Sequence, residues 1–136
     1  MIRLATIGDS EAILRLWADV VEHASIEDRV EDVHRLVARD PEALLVAEED
    51  GRLVGTVIAG WDGWRGNLYR LAVAPDARRR GIAAALIEEG ERRLETKGCR
   101  RVSALVIGGE DGAKAFWRSS GYAEHRSVSR FAKNLG

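Results

Sequence analysis

The chain is predicted to fold as an α+β protein on a mixed, mostly antiparallel sheet, and three observations carry that expectation. Several β-rich runs follow one another in the middle of the chain, helical stripes lie before and after them, and a tight-turn dipeptide joins two of the runs. The 136 residues match one domain over 1–136, a size that buries roughly two-thirds of the unfolded surface. A composition of 46% hydrophobic and 32% charged residues is that of a globular protein rather than a disordered one. No apolar run approaches the roughly 18 residues of a membrane span, so no membrane partner is expected. The N-terminus lacks the basic-then-apolar order of a secretory signal. Cys99 stands alone, which excludes an intramolecular disulfide and a cysteine-rich zinc site. The expected setting is the reducing cytoplasm, with no metal.

Taken in order, Met1 to Ala5 reads as a short strand, and Thr6 with Asp9 reads as a helix start whose side chains serve the first free N–H groups. Ile13, Leu16, Trp17, Val20 and Val21 fall on one helical face, and Val30, Val33 and Val37 make a second stripe before Asp40-Pro41. Leu44 to Glu48 and Leu53 to Gly60 are strands joined by Asp50-Gly51, a dipeptide suited to a hairpin turn. The loop Trp61-Asp62-Gly63-Trp64-Arg65-Gly66 leads to a third strand, Leu68 to Val73, which Pro75 closes. Ile82, Ala83, Leu86, Ile87 and Leu94 mark a helix ending near Gly98. Arg101 to Ile107 reads as a strand, Asp111 to Ser119 as a helix capped by Gly121, and Tyr122 to Phe131 as closing strand material.

Charge is unevenly divided: residues 1–50 hold 13 acidic and 5 basic side chains, the remainder 9 and 16. A basic portion of this kind handles an anion and an acidic portion attracts a cation, although scattered solvated charge reads equally well at this level. The segment Leu71-Ala-Val-Ala-Pro75-Asp-Ala-Arg78-Arg-Arg-Gly81-Ile-Ala83 is a strand end, a turn and a helix start. The first N–H groups of a helix have no intrahelical partners and attract anions. Gly81 admits a ligand close to that backbone, and Arg78, Arg79 and Arg80 add charge suited to a diphosphate. A P-loop would place Lys-Ser or Lys-Thr after its second glycine and a dinucleotide turn would need three glycines, so nucleotide hydrolysis is disfavoured.

These residues resemble the GNAT superfamily of acetyl-CoA-dependent N-acetyltransferases. Arg78-Arg79-Arg80-Gly81-Ile82-Ala83 matches the family's pattern of Arg or Gln, two residues, Gly, one residue, Gly or Ala, and Leu71-Ala72-Val73-Ala74-Pro75 matches its strand end. Ile2-Arg3-x-Ala5-Thr6-x-x-Asp9 and Ala113-x-x-Phe116-x-x-x-x-Gly121-Tyr122 agree with the family at either end. The loop from Gly60 to Gly66 is similar to that of small bacterial YpeA-like acetyltransferases and, more loosely, of the ribosomal-protein alanine acetyltransferases. The resemblance implies a GNAT fold of six or seven strands flanked by about four helices. In that fold the strands at 68–74 and 101–107 run parallel and splay to admit the pantetheine arm of acetyl-CoA. It further implies that Leu71, Ala72 and Val73 bond the arm through their backbones and that residues 78–83 hold the diphosphate. An amide near Leu71 or Ala72 then serves the thioester oxygen, and an amine acceptor attacks directly. Edge pairing through the last segment is a family route to a homodimer.

The position at which the family commonly carries a general-acid tyrosine is Trp117 here, and an indole N–H does not deliver a proton. Three readings stay open: another group is the acid, the thiolate leaves unaided, or the chain binds acyl-CoA without transferring the acyl group. Tyr69 is the candidate acid or relay, its alternative being a packed strand aromatic. Asp62 is the candidate base, its alternative being a turn former; Glu48 and Glu49 are others. His23 and His34 lie on the early helices, where the family builds its acceptor side. The family's frequent asparagine is Glu110, read with Asp111 as a helix cap, and Lys114 is one turn further on. Cys99 is read as a structural thiol. The leading function is an N-acetyltransferase acting on a primary amine, the alternative an acyl-CoA-binding module. Nucleic-acid binding through the arginine turn is disfavoured, since no aromatic platforms interleave the basic residues.

Overall fold

Continuous apolar, β-rich runs in the middle of the chain form a ribbon of strands, and a helix lies on either side of it. In a computed structural model, which describes residues 1–20, 26–106 and 111–135, the strands are β1 (Ile2–Leu4), β2 (Leu44–Glu49), β3 (Arg52–Trp61), β4 (Gly66–Val73) and β5 (Val102–Ala104). They stand in the order β1-β2-β3-β4-β5. The first four pair antiparallel. β4 and β5 are parallel, with Gly66 opposite Val102, Asn67 opposite Ser103 and Leu68 opposite Ala104. The β2–β3 hairpin turns on Asp50 (φ 50°) and Gly51 (φ 75°), the two positive angles a two-residue connection needs to follow the strands' twist.

The α-helices among the described residues are α1 (Ser10–Val20), α2 (Val30–Arg39), α3 (Ile82–Thr96) and α4 (Asp111–Ser119). Residues Met1–Leu105 form one compact unit and Val106–Gly136 a second. In the first unit the run Leu44 to Ala47 is buried throughout, as expected of a strand covered on both faces rather than one. On one face Leu86, Ile87 and Leu94 of α3 are buried, and on the other Ile13, Leu16 and Trp17 of α1. α3 approaches the start of β4 so closely that a Cβ on Gly66 would lie 2.8 Å from Cys99 Sγ and 2.9 Å from Leu94 Cδ1. Cys99 is buried, and its thiol donates to the Arg101 carbonyl at 3.2 Å.

The helix-start signal at Thr6 and Asp9 forms a short 3-10 turn, Ile7–Asp9, ahead of α1. Asp9 accepts the Thr6 N–H at 2.7 Å and a two-pronged contact from Arg3 at 2.8 and 2.9 Å. Arg3 also reaches Glu48 at 2.9 Å, so β1, the turn and β2 are joined through one guanidinium. The Arg3 hydrogen bond is the chief cause that lowers the Asp9 pKa from 3.8 to about 2.

Two expectations require correction. The sheet has five strands among the described residues rather than six or seven, because Tyr122 to Phe131 joins no ladder. Its apolar side chains come at irregular spacing among Glu124, Arg126 and Arg130, and Val128 and Phe131 are exposed by 70% and 95%. The strand expected at 101–107 is also shorter, Val102–Ala104; Ile107 lies outside the described residues, as does Val21 of the first stripe.

Acid titration tests the Arg3–Asp9 contact. A carboxylate whose folded pKa lies below its unfolded value stabilises above the unfolded pKa and loses that contribution as pH falls through the folded one. Urea denaturation is expected to show about 1–2 kcal/mol lost between about pH 4 and pH 2 through this group. The Asp9→Asn variant should start lower by a similar amount and lack that step; a variant with wild-type acid sensitivity contradicts the assignment.

Candidate active site

β3 and β4 do not pair evenly. Thr56 is opposite Ala72 and Ile58 is opposite Tyr69, so Val57 faces two residues, Arg70 and Leu71, in a β-bulge. Arg70 takes φ 52°, a left-handed conformation that costs a long side chain on the order of 1 kcal/mol or more. Several contacts hold it there. Its carbonyl accepts the Thr56 hydroxyl at 2.8 Å, and that hydroxyl accepts the Trp17 indole N–H at 2.8 Å. Its guanidinium lies 5.3 Å from the Trp17 ring centroid and bonds Asp28 at 2.7 Å. Thr56 and Trp17 are buried at 0% and 5% exposure.

The bulge breaks the alternation of side chains. Arg70 is on the α1 face through Trp17. The Tyr69 ring is on that face too, since a Cβ on Gly60, which alternates with Thr56 and Ile58, would be 3.4 Å from Tyr69 Cε2. Two consecutive side chains therefore share one face, where Trp17, Asp28, Asp32, Val33, Ile58 and Arg70 line a recess of about 140 Å³. Tyr69 is 41% exposed.

Among the described residues the ladder to β5 stops at Leu68 while β4 runs on to Val73. Ala74 donates its N–H to Val54 at 2.8 Å, so by alternation Ala72 turns its backbone to β3 and Val73 turns its own to the open side. Arg78 Nε donates to the Val73 carbonyl at 3.3 Å. Of the three residues expected to bond a pantetheine arm, Leu71 and Val73 are thus beside the opening, and Ala72 is committed to the sheet.

Beyond Val73 the chain passes Pro75–Ala77 and turns at Arg79 (φ 66°) and Gly81 (φ 79°) into α3. The first helical N–H to bond back is that of Ala85, to Gly81 at 3.0 Å, and Gly81 supplies no side-chain cap. The N–H groups of Ile82, Ala83 and Ala84 at this end are therefore available to an anion. A Cβ on Gly81 would meet nothing within 4 Å, so the space above the turn is open. Arg78, Arg79 and Arg80 are exposed here. Arg80 bonds Glu49 at 2.7 Å and the Asp76 carbonyl at 2.9 Å, which leaves Arg79 the least engaged of the three. These features fit a diphosphate with an extended arm.

Other candidates are placed elsewhere. Asp62 accepts the N–H groups of Trp64 and Arg65, both at 2.7 Å, and these bonds, Arg65's first, lower its pKa. Its turn precedes Gly66, five residues before Leu71, on the order of 16 Å along the strand at a rise of about 3.3 Å per residue. Asp62 thus closes the loop through its carboxylate. Glu48 is engaged by Arg3 and Glu49 by Arg80. His34 is on α2; His23 and Glu110 lie outside the described residues. In the second unit Trp117 makes edge contacts with Phe116 and Tyr122, centroids 5.8 and 5.0 Å apart, and Lys114 bonds Glu124 at 3.0 Å. Among the described residues no group of three His, Cys, Asp or Glu is placed to hold a metal ion, and no helix is long and apolar enough to cross a membrane.

Sequence reasoning missed the contacts of Arg70, Thr56 and Asp28. The one legible sign was Thr56, a hydroxyl inside the apolar run Leu53 to Ala59, which requires a buried partner.

Comparison with known proteins agrees with this arrangement. The family model for the acetyltransferase (GNAT) family matches residues 10–122. The chain is 36% identical to an acetyltransferase of Sodalis glossinidius over 98% of its own length and 94% of the relative's. It is 41% identical to an acetyltransferase of Pectobacterium atrosepticum over 77% of this chain and 74% of that one. A crystal structure of the ribosomal-protein-alanine N-acetyltransferase of Brucella melitensis is similar with a TM-score of 0.74 and 29% identity, covering 89% of this chain and 83% of that chain. With its parallel β4–β5 pair and its family match over most of its length, the chain belongs to the GNAT family and is an acetyltransferase.

Proposed function

We propose that the protein transfers an acetyl group from acetyl-CoA to a primary amine, on a small molecule or a protein, by direct attack in a ternary complex. The observation that carries the reading is the run of β4 past its last pairing with β5 among the described residues, at Leu68, which leads to the uncapped start of α3. The family match from residue 10 to residue 122 supports reading both units as one catalytic domain.

Bound acetyl-CoA supplies the acetyl thioester. Residues 78–83 hold its diphosphate through the N–H groups at the helix start and the arginines beside them. Leu71 and Val73 bond the arm, and the Leu71 N–H donates to the thioester oxygen, where charge develops as the amine attacks. Tyr69, 41% exposed, holds the phenolic proton for the leaving sulfur in place of the family's tyrosine. Asp62 shapes the β3–β4 loop, and the proton of the ammonium passes to water.

A second reading, an acyl-CoA-binding module, is favoured by Trp117 at the usual acid position. The two separate when purified protein is mixed with acetyl-CoA and a panel of amines that includes N-terminal peptides. Free CoA together with acetylated amine supports transfer; tight binding without amine-dependent product favours the module.

Gly81→Val is expected to weaken acetyl-CoA binding at least tenfold by calorimetry while lowering the melting temperature only a few degrees, the cost of a β-branched residue at positive φ. Unchanged affinity contradicts the diphosphate site. In steady-state assays Tyr69→Phe should lower kcat about 100-fold and alter its pH dependence, whereas Asp62→Asn should leave the pH profile unchanged. Equal profiles for wild type and Tyr69→Phe remove Tyr69 from the chemistry.

A further inference from the structure

The bulge in β4 is held from outside the strand, and what holds it also sets the direction of one peptide group. We infer that Thr56, oriented by Trp17, is a positioning residue that aims the Leu71 N–H at the acetyl carbonyl; the inference rests on the reading that this N–H serves the thioester oxygen.

A threonine hydroxyl has one proton to give and lone pairs to receive. The Trp17 indole N–H is a donor only, so at 2.8 Å from Thr56 Oγ1 it must donate, and the hydroxyl proton is directed to the Arg70 carbonyl, also at 2.8 Å. No cis peptide bond occurs among the described residues, so the Arg70 carbonyl and the Leu71 N–H point in opposite directions within one planar unit. Drawing the carbonyl back to Thr56 on β3 turns the N–H away from β3, to the side of β4 that pairs with β5, among the described residues, only as far as Leu68. Arg70 has φ 52°, a state that a non-glycine residue keeps only when its surroundings impose it. Without the hydroxyl, the carbonyl has no such hold and the peptide group is free to rotate.

Trp17 enters twice. Its N–H fixes the direction of the Thr56 proton, and its ring carries the Arg70 guanidinium, whose other partner is Asp28. All of these residues lie on the α1 and α2 side of the sheet, and the N–H they direct points away from the carbonyl they hold, within the same peptide plane. They position the site without touching the cofactor.

The test uses Thr56→Val, nearly equal in shape but without the hydroxyl, and Thr56→Ser, which restores it. In isotope-labelled protein, the Leu71 amide proton of the wild type should move further downfield on adding acetyl-CoA than on adding CoA, which has no acetyl carbonyl. In Thr56→Val this difference should collapse, with the affinity for acetyl-CoA changed by less than about threefold. The kcat for any amine that turns over should fall tenfold or more, as for a misaimed oxyanion donor, and Thr56→Ser should recover both signals. Thr56→Val is expected to melt lower, since it strands a buried indole N–H, so measurements are made well below its transition. An unchanged Leu71 response in Thr56→Val, or a response lost only together with affinity, overturns the inference and leaves the transferase reading intact. Absence of acetyl-CoA binding by the wild type overturns both.

Discussion

The hydrogen-bonded chain from the Trp17 indole through the Thr56 hydroxyl to the Arg70 carbonyl is the interaction on which the rest of the site depends. It joins α1, β3 and β4 in a buried place where a missing partner would leave an unsatisfied group at a cost of about 1–3 kcal/mol. What it stabilises is an unfavourable backbone angle at Arg70. The bulge interrupts the β3–β4 pairing at Arg70 and Leu71, two residues past the last β4–β5 pair among the described residues. The irregularity in the strand is held by residues of α1 and β3.

Charge along the chain turns out to serve both folding and binding. Several cations of the basic second part find their partners in the acidic first part: Arg70 with Asp28, Arg80 with Glu49, Arg93 and Lys97 with Glu42. Much of the asymmetry is thus consumed within the first compact unit, and exposed pairs of this kind are each worth little. Arg78, Arg79 and Arg80 stay exposed at the turn before α3, where the helix start adds its own positive end. A weak net charge and a local positive field therefore coexist, the field coming from backbone direction as well as from side chains.

Much of this was legible in the sequence. The hairpin at Asp50-Gly51, the end of β4 at Pro75 and the uncapped glycine entry into α3 each depend on neighbouring residues whose conformational preferences decide the outcome. The closing strand was misread because Val128 and Phe131 resemble strand residues by type, whereas a strand is made by its partner. Asp62 was ambiguous in sequence because a carboxylate can bind a proton or its own backbone, and only the loop's closure decides between them. Arg70 was beyond reach for a different reason: no sequence rule places a non-glycine residue at positive φ in the middle of an apolar strand. That conformation comes from Trp17 and Thr56, which are 53 and 14 residues away along the chain.

The seam between β4 and α3 bears on how such a chain can vary in descent. Gly66 and Cys99 occupy one shared volume, for a single added carbon on the glycine would come within 2.8 Å of the sulfur. Leu94 Cδ1 would lie 2.9 Å from the same carbon, so position 66 is free to grow only as both of its neighbours give way. The three lie where β4 and β5 pair in parallel, Gly66 being opposite Val102. A relative with a larger residue at the Gly66 position is therefore expected to carry smaller ones at the other two, and the seam between helix and sheet changes in descent as a set of three rather than one residue at a time.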